Sequence, residues 1–190
     1  IYKANVIIKE VILHIKYALP WRVICSSYDI SHSALHKTYL KLLKFKVIKN
    51  TYKKLINLYL VNDPKELCIQ SADVTVIANK YGSDYVKYNG HKKKKCTKAS
   101  IISTKKGKAL GLKLDIGSKH DSKILFTQLD EELFINESLN NEHKKYMLCD
   151  SAYDNPLLRN KLSNLNYIPI IDSNKRNGKN KIIMSNDHKL

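Results

Sequence analysis

Cysteine is scarce and scattered. The four present, Cys25, Cys68, Cys96 and Cys149, form no CxxC pair, and no histidine stands at zinc-ligand spacing beside a pair. A zinc finger is therefore excluded, and reduced, intracellular thiols fit better. Long apolar runs are also missing. The most hydrophobic stretch, residues 4–19, is broken by Lys9, Glu10, His14 and Lys16, which excludes a membrane span and argues against a secretory signal. The third shortage is acid: 17 Asp and Glu stand against 34 Lys and Arg, a formal net charge of +17. Such an excess normally faces a polyanion, with nucleic acid the leading partner. No internal repeat is visible, and Lys92, Lys93, Lys94 and Lys95 form the one low-complexity run.

What is present suffices for a folded protein. With 190 residues and 43% hydrophobic content, the chain can build one domain with a sizeable core, or one small and one medium domain. Residues 1 to about 66 carry helical periodicity, with Val6, Ile7, Val11, Ile12 and Ile15 on one face and Leu35, Tyr39, Leu42 and Leu43 on another, so about three helices are expected. Pro20 suits the first turn of a helix, and Ser31 suits the N-cap of a helix carrying His32 to Lys46. The spacing is that of a helix-turn-helix, with Lys37 and Lys41 placed to contact DNA. A plain structural helix pair gives the same pattern. Asn62-Asp63-Pro64 reads as a boundary, giving a helical region over 1–63 and a second domain over 66–190.

In the second region the pattern turns β-like. Strands are expected over 68–77, 98–103 and 110–116, the last two joined by a hairpin in which Gly107 supplies positive φ. A helix over 121–136, a strand over 146–149, a helix over 155–165 and a strand over 167–171 follow, which favours a mixed α/β sheet. Charge is segregated: residues 80–119 hold 12 basic and 2 acidic side chains, and residues 120–154 hold 3 and 8. A uniform codon bias towards lysine would not separate +10 from −5 in this way.

Two aspartates, Asp73 and Asp150, each sit at the edge of a short apolar run on either side of the basic block. Cutting or joining a phosphodiester requires charge stabilisation on both the attacking and the leaving oxygen, which two divalent ions about 4 Å apart can supply. Mg²⁺ prefers hard oxygen ligands and keeps several waters, so a few carboxylates at strand ends can hold it. Either aspartate alone would read as a turn or cap.

The blocks Ala72-Asp73-Val74-Thr75, Gly107-Lys108-Ala109-Leu110, Gly117-Ser118-Lys119-His120-Asp121-Ser122, Cys149-Asp150-Ser151-Ala152-Tyr153-Asp154-Asn155 with Leu158-Arg159, and Ile168-Pro169-Ile170-Ile171 before Asn174-Lys175-Arg176-Asn177 together resemble the DDE transposases of the IS4/IS5 type over about residues 66 to 180. Leu19-Pro20-Trp21-Arg22 and the helix after it resemble the helical DNA-binding region of the same proteins more weakly. The resemblance implies an RNase H-like α/β fold, with Asp73 on the first strand and Asp150 at the end of the fourth. It implies a site for Mg²⁺ or Mn²⁺, with two ions in the complete site and Asp73 and Asp150 as catalytic ligands. The partner implied is DNA, as transposon ends and target, with a homodimer left open. Lys37, Lys41, Lys92, Lys93, Lys94, Lys95, Lys98, Lys175 and Arg176 are the expected DNA contacts, although a solvated loop accounts equally for residues 92–95. The expected location is inside the cell, in prokaryotic cytoplasm or a eukaryotic nucleus.

The chain also departs from the family. The third acid, a glutamate on a later helix, has no counterpart, and Asp172 and Asp187 lie outside its context, so neither is assigned. Ala152 and Cys96 stand where the family usually has glycine. The chain begins at Ile1 rather than Met, and a truncated or decaying transposase is expected, impaired in cleavage. The alternatives are a DNA-binding remnant without catalysis and a different RNase H-like nuclease. His120-Asp121 reads as a cap of the following helix with Asp121 accepting backbone N–H bonds, Tyr153 and Asp154 as structural, Trp21 as core, and Cys149 as a small buried strand residue.

Overall fold

The computed structural model describes residues 4–25, 30–79, 84–131 and 144–173. The chain divides into two compact units, residues 1–56 and 57–190. Helices α1 (Ala4–Tyr17), α2 (Trp21–Cys25), α3 (His32–Lys44) and α4 (Val47–Asn62) come first, the last of them running through the division. In the first unit Ile24, Ile30 and Leu35 form a buried cluster, with Val6, Ile7, Trp21 and Cys25 packed against it. Leu35 is wholly buried, which contributes roughly 1.5–3 kcal/mol. Pro20 opens α2 by offering its carbonyl to the Val23 and Ile24 N–H groups. Ser31 occupies the N-cap position of α3 through its extended backbone and its carbonyl, without a side-chain cap bond. Trp21 stacks on His14 at 3.7 Å between ring centres and meets Tyr39 at 5.3 Å, a packing role. Lys46, at φ 55°, ends α3 by donating to the Leu43 carbonyl, as residues just past a helix end commonly do.

A 3₁₀ helix, Pro64–Cys68, leads into strands β1 (Ile69–Ala78), β2 (Lys87–Asn89), β3 (Lys94–Thr104) and β4 (Ala109–Ile116), helix α5 (Asp121–Glu131), strand β5 (Lys145–Cys149), a 3₁₀ turn at Ser151–Tyr153, helix α6 (Pro156–Asn164) and strand β6 (Tyr167–Ile171). β3 lies antiparallel between β1 on one edge and β2 and β4 on the other; β2 pairs with residues 94–96 and β4 takes over from Thr97. β5 runs parallel to β1, and β6 parallel to β5. The order β4-β3-β1-β5-β6, an antiparallel meander followed by strands parallel to the first, is the RNase H-like arrangement. Gly107 turns the β3–β4 hairpin at φ 78°. Asn155 caps α6 by accepting from Leu157 and Leu158 N–H groups, with Pro156 in the first turn.

Strand alternation separates two faces. On one, Gln70, Ala72, Ser100, Ile102, Met147 and Ile171 are buried, and α5 and α6 pack on the strands with Ile124, Leu125, Leu129, Leu158 and Leu162 inward. On the other, Asp73, Ile101 and Leu112 lie opposite one another across β1, β3 and β4 and are exposed.

Glu66 ties the end of α4 to the β3–β4 hairpin. Its buried carboxylate accepts from the Tyr59 hydroxyl at 2.5 Å and from the Thr104 hydroxyl, and Lys106 Nζ stands 3.7 Å away while also pairing with Asp63 at 2.6 Å. Burial alone would raise the Glu66 pKa, but the two hydroxyls and the Lys106 charge outweigh it and leave it lowered. A carboxylate whose folded pKa lies below its unfolded value, about 4.3, stabilises fully above that value and loses the contribution as pH falls through the folded pKa. Glu66→Gln is expected to cost about 1–2 kcal/mol at neutral pH, and the gap to wild type should close in acid. Urea titrations at pH 7 and pH 3 check this; a gap that widens in acid would contradict it.

Candidate active site

β1, β5 and β6 bring three carboxylates to one face of the sheet. Ser71 is opposite Leu148, and Leu148 is opposite Ile170. Two residues further along each strand line stand Asp73, Asp150 and Asp172, and a step of two residues keeps each on the same face. All three line one open depression of about 550 Å³, together with Ala72, Leu148, Cys149 and Ile170. Its place, at the carboxyl ends of the parallel strands β5 and β6, is where open α/β sheets bind ligands.

Each carboxylate is oriented by local backbone. Asp73 Oδ1 accepts from the Val74 N–H at 2.8 Å, and Asp172 Oδ1 accepts from the Ser173 N–H at 2.8 Å. Asp150 caps the 3₁₀ turn by accepting from the Ala152 N–H. Ala152 is not among the described residues with positive φ, so the usual glycine is not required there. Arg159 fastens the strand ends together: it donates to Asp154 at 3.0 Å and to the Ile171 carbonyl at 2.8 Å. Asp154 is thereby a structural partner, joining the turn after Asp150 to the residue before Asp172. Tyr153 is buried under this turn, and burial, followed by the charges of Asp121, Cys149, Asp73 and Asp150, raises its pKa. Burial likewise pushes the Cys149 thiol up to about 12. A thiol so protonated at neutral pH is a poor nucleophile.

Hard carboxylate oxygens on one open face fit Mg²⁺ or Mn²⁺. Among the described residues no three His, Cys, Asp or Glu side chains stand close enough to hold one ion together. The donor set therefore suits a hydrated ion with few protein ligands, not a closed cage.

The expected DNA contacts lie in several places. Lys37 and Lys41 are exposed on α3 in the first unit. Lys92 and Lys93 form the β2–β3 turn and Lys94 and Lys95 begin β3, all exposed. Because Cys96 pairs with Ala78, this turn projects beyond the end of β1, five residues or roughly 17 Å past Asp73, at the same end of the sheet as the carboxylates. Lys98 is drawn inward, where its ammonium donates to Asp121 at 2.7 Å and to the Lys119 carbonyl at 2.8 Å. Asp121 thus begins α5 as an ion-pair partner, and His120 makes the cap, its carbonyl accepting from the Lys123 and Ile124 N–H groups while its Nδ1 bonds Ser122 at 2.9 Å. Part of the charge segregation in the sequence is cancelled by folding, since Lys113 also pairs with Glu131 at 2.5 Å. Lys175 and Arg176 lie outside the described residues. Sequence reasoning missed Arg159 as the clamp and set Asp172 aside. The signal for Asp172 was present, because it follows Ile168-Pro169-Ile170-Ile171 as Asp150 follows Tyr146-Met147-Leu148-Cys149.

The family model described as transposase DDE domain matches residues 61–190. No curated protein matches the sequence. Among solved structures, the chain is similar to the Mos1 strand transfer complex, at 15% identity and a TM-score of 0.38 over 90% of this chain and 58% of that one. It is also similar to the catalytic domain of Mos1 mariner transposase, at 15% identity and a TM-score of 0.38 over 66% of this chain and 59% of that one. A third is the piggyBac transposase synaptic complex with hairpin DNA, at 15% identity and a TM-score of 0.40 over 62% of this chain and 27% of that one. The chain spans less than two thirds of the length of each. Among the described residues no helix is long and apolar enough to cross a membrane.

Proposed function

Because the chain belongs to the transposase DDE-domain family, we propose that it acts in DNA transposition, binding DNA and breaking or joining its phosphodiester bonds at Asp73 and Asp150. The observation that carries this reading is the placement of both carboxylates on one face, in one depression, at adjacent parallel strands. Asp73 and Asp150 would hold divalent ions, Mg²⁺ or Mn²⁺. Such ions supply charge stabilisation for the attacking and leaving oxygens of an in-line displacement. The backbone bonds from Val74 and Ala152 fix where the two carboxylates point. The Arg159 clamp holds the strand ends that carry the site.

Lys92 to Lys95 would take DNA phosphates along the same end of the sheet, and Lys37 and Lys41 would do so from α3. Lys98 is left out of this set, because its ammonium is already held by Asp121 and Lys119. These contacts position the duplex without reading its sequence.

The test is nicking of plasmid DNA that carries the element's terminal repeats, with Mg²⁺ or Mn²⁺. Wild type is expected to nick at a reduced rate, because the family's third acid has no counterpart here, with chelation stopping it and Asp73→Asn stopping it while leaving DNA retention intact. Retention should weaken steeply with salt, the affinity falling with a log–log slope of about −0.9 per phosphate neutralised. Nicking that survives chelation would overturn the reading. Salt-sensitive retention with no nicking by wild type would leave a DNA-binding remnant instead.

A further inference from the structure

The row of carboxylates does not end with the two residues assigned above. β5 and β6 keep parallel register up to Cys149 opposite Ile171, and Asp150 and Asp172 are the residues that follow directly on this last pair. Adjacent strands are about 4.8 Å apart, so Asp172 stands about one strand from Asp150 and about two from Asp73. Its side chain lines the same depression as theirs. An independent feature fixes it there: Arg159 donates to the carbonyl of Ile171, the residue immediately before it, and to Asp154, four residues beyond Asp150.

We propose that Asp172 is a third carboxylate of the divalent-metal site, acting on the ion held at Asp73 and Asp150 through that ion's water ligands. The proposal rests on the functional reading above and goes beyond it in assigning a residue that the family's triad does not contain. The spacing suits this role. Among the described residues no three acidic side chains are close enough to touch one ion together, and Mg²⁺ keeps several of its waters when bound. A carboxylate one strand away can accept hydrogen bonds from those waters and adds a third negative charge to the depression. It orients and retains the hydrated ion and does not touch the reacting phosphate.

The experiment is Mn²⁺ binding by the intact chain without DNA, followed by loss of the free-Mn²⁺ paramagnetic resonance signal and by calorimetry. Asp172→Asn is expected to weaken Mn²⁺ binding by about 10- to 100-fold, the range for residues that support a metal from outside its direct ligands. Asparagine still offers an oxygen to the Ser173 N–H, so thermal melting of the apo variant should match wild type. Asp172→Glu, which keeps the charge, should retain most of the affinity. Asp84→Asn, a change at an exposed acid outside the depression, should leave it unaltered. If Asp172→Asn binds Mn²⁺ as wild type does while Asp150→Asn does not, the proposal is wrong and the two-carboxylate reading stands. If Asp73→Asn and Asp150→Asn both keep wild-type Mn²⁺ affinity, the underlying reading fails, and the role of Asp172 fails with it.

Discussion

Asp150→Asn is expected to slow divalent-metal-dependent DNA cleavage by about 10³-fold or more, with little change in thermal stability. The two halves of this expectation have different causes. Stability is retained because the bond that Asp150 makes within the protein is from the Ala152 N–H to Oδ1, and an asparagine oxygen can accept it equally well. The residue is also exposed, so no buried packing is disturbed. What is lost is a negative charge and one of the hard oxygens that an ion requires. A bound ion contributes several kcal/mol of charge stabilisation in phosphoryl chemistry, and each 1.36 kcal/mol corresponds to a factor of ten in rate. Losing about 4 kcal/mol therefore removes about three orders of magnitude. Single-turnover cleavage in Mg²⁺, with melting curves of both proteins, measures both halves. Cys149→Ala is the informative neighbour: with its thiol pKa pushed up to about 12, Cys149 offers no thiolate, and cleavage should persist. Wild-type cleavage by Asp150→Asn would remove Asp150 from the site.

The sequence made the long elements legible and hid the contacts that depend on register. The apolar run at 68–77 and the strand found at Ile69–Ala78 differ by one residue at each end, and Tyr167–Ile171 coincides with its run. These segments are apolar and bounded by turn chemistry, so local pattern and tertiary pairing agree. β3 is different. It begins at Lys94, within the lysine run, and not at Lys98. Lysine has little preference for strands, and the pairing of Lys94 with Asn89 and of Lys95 with Tyr88 in β2 overrides that preference. β2 itself is three residues long and carries no alternation to read. The helix expected over 121–136 is described only to Glu131.

The same distinction runs through the site. Asp73 and Asp150 were visible because each borders an apolar run and because the blocks around them resemble a family. Asp172 borders a run of the same kind, but its relation to Asp150 exists only in the parallel register of β5 and β6. Lys98 shows the converse. Its charge suggested a DNA contact, yet it shares a strand face with the buried Ser100 and Ile102, and a lysine there needs an internal partner. Asp121 supplies it, 23 residues away, at a separation that no local pattern encodes.

Gly117→Ala is expected to destabilise the second unit by about 3 kcal/mol or more, at the upper end of the usual cost of overpacking. Gly117 follows the last residue of β4, at the point where β4 leaves the edge of β3 and β2 takes its place: Thr97 pairs with Ile116, and Cys96 pairs with Lys87. Two strand ends and the backbone of β3 converge there. The Gly117 N–H donates to the Tyr85 carbonyl at 3.3 Å, and its own carbonyl accepts from Asn89 Nδ2 at 2.9 Å. A Cβ on Gly117 would lie 2.1 Å from the Cys96 carbonyl oxygen, 2.6 Å from Cys96 Sγ and 2.8 Å from the Lys87 carbonyl oxygen. Two of these three contacts are backbone atoms held in strand pairing, so relief requires the edge of the sheet to move. It also follows that trimming Cys96 cannot rescue the change. Cys96→Gly would remove the sulfur and leave both carbonyls in place, so the double variant Cys96→Gly/Gly117→Ala should remain at least as unstable as Gly117→Ala alone. Urea denaturation of the single and double variants tests this. Full recovery in the double variant would show that the sulfur, and not the backbone, sets the glycine requirement at this junction.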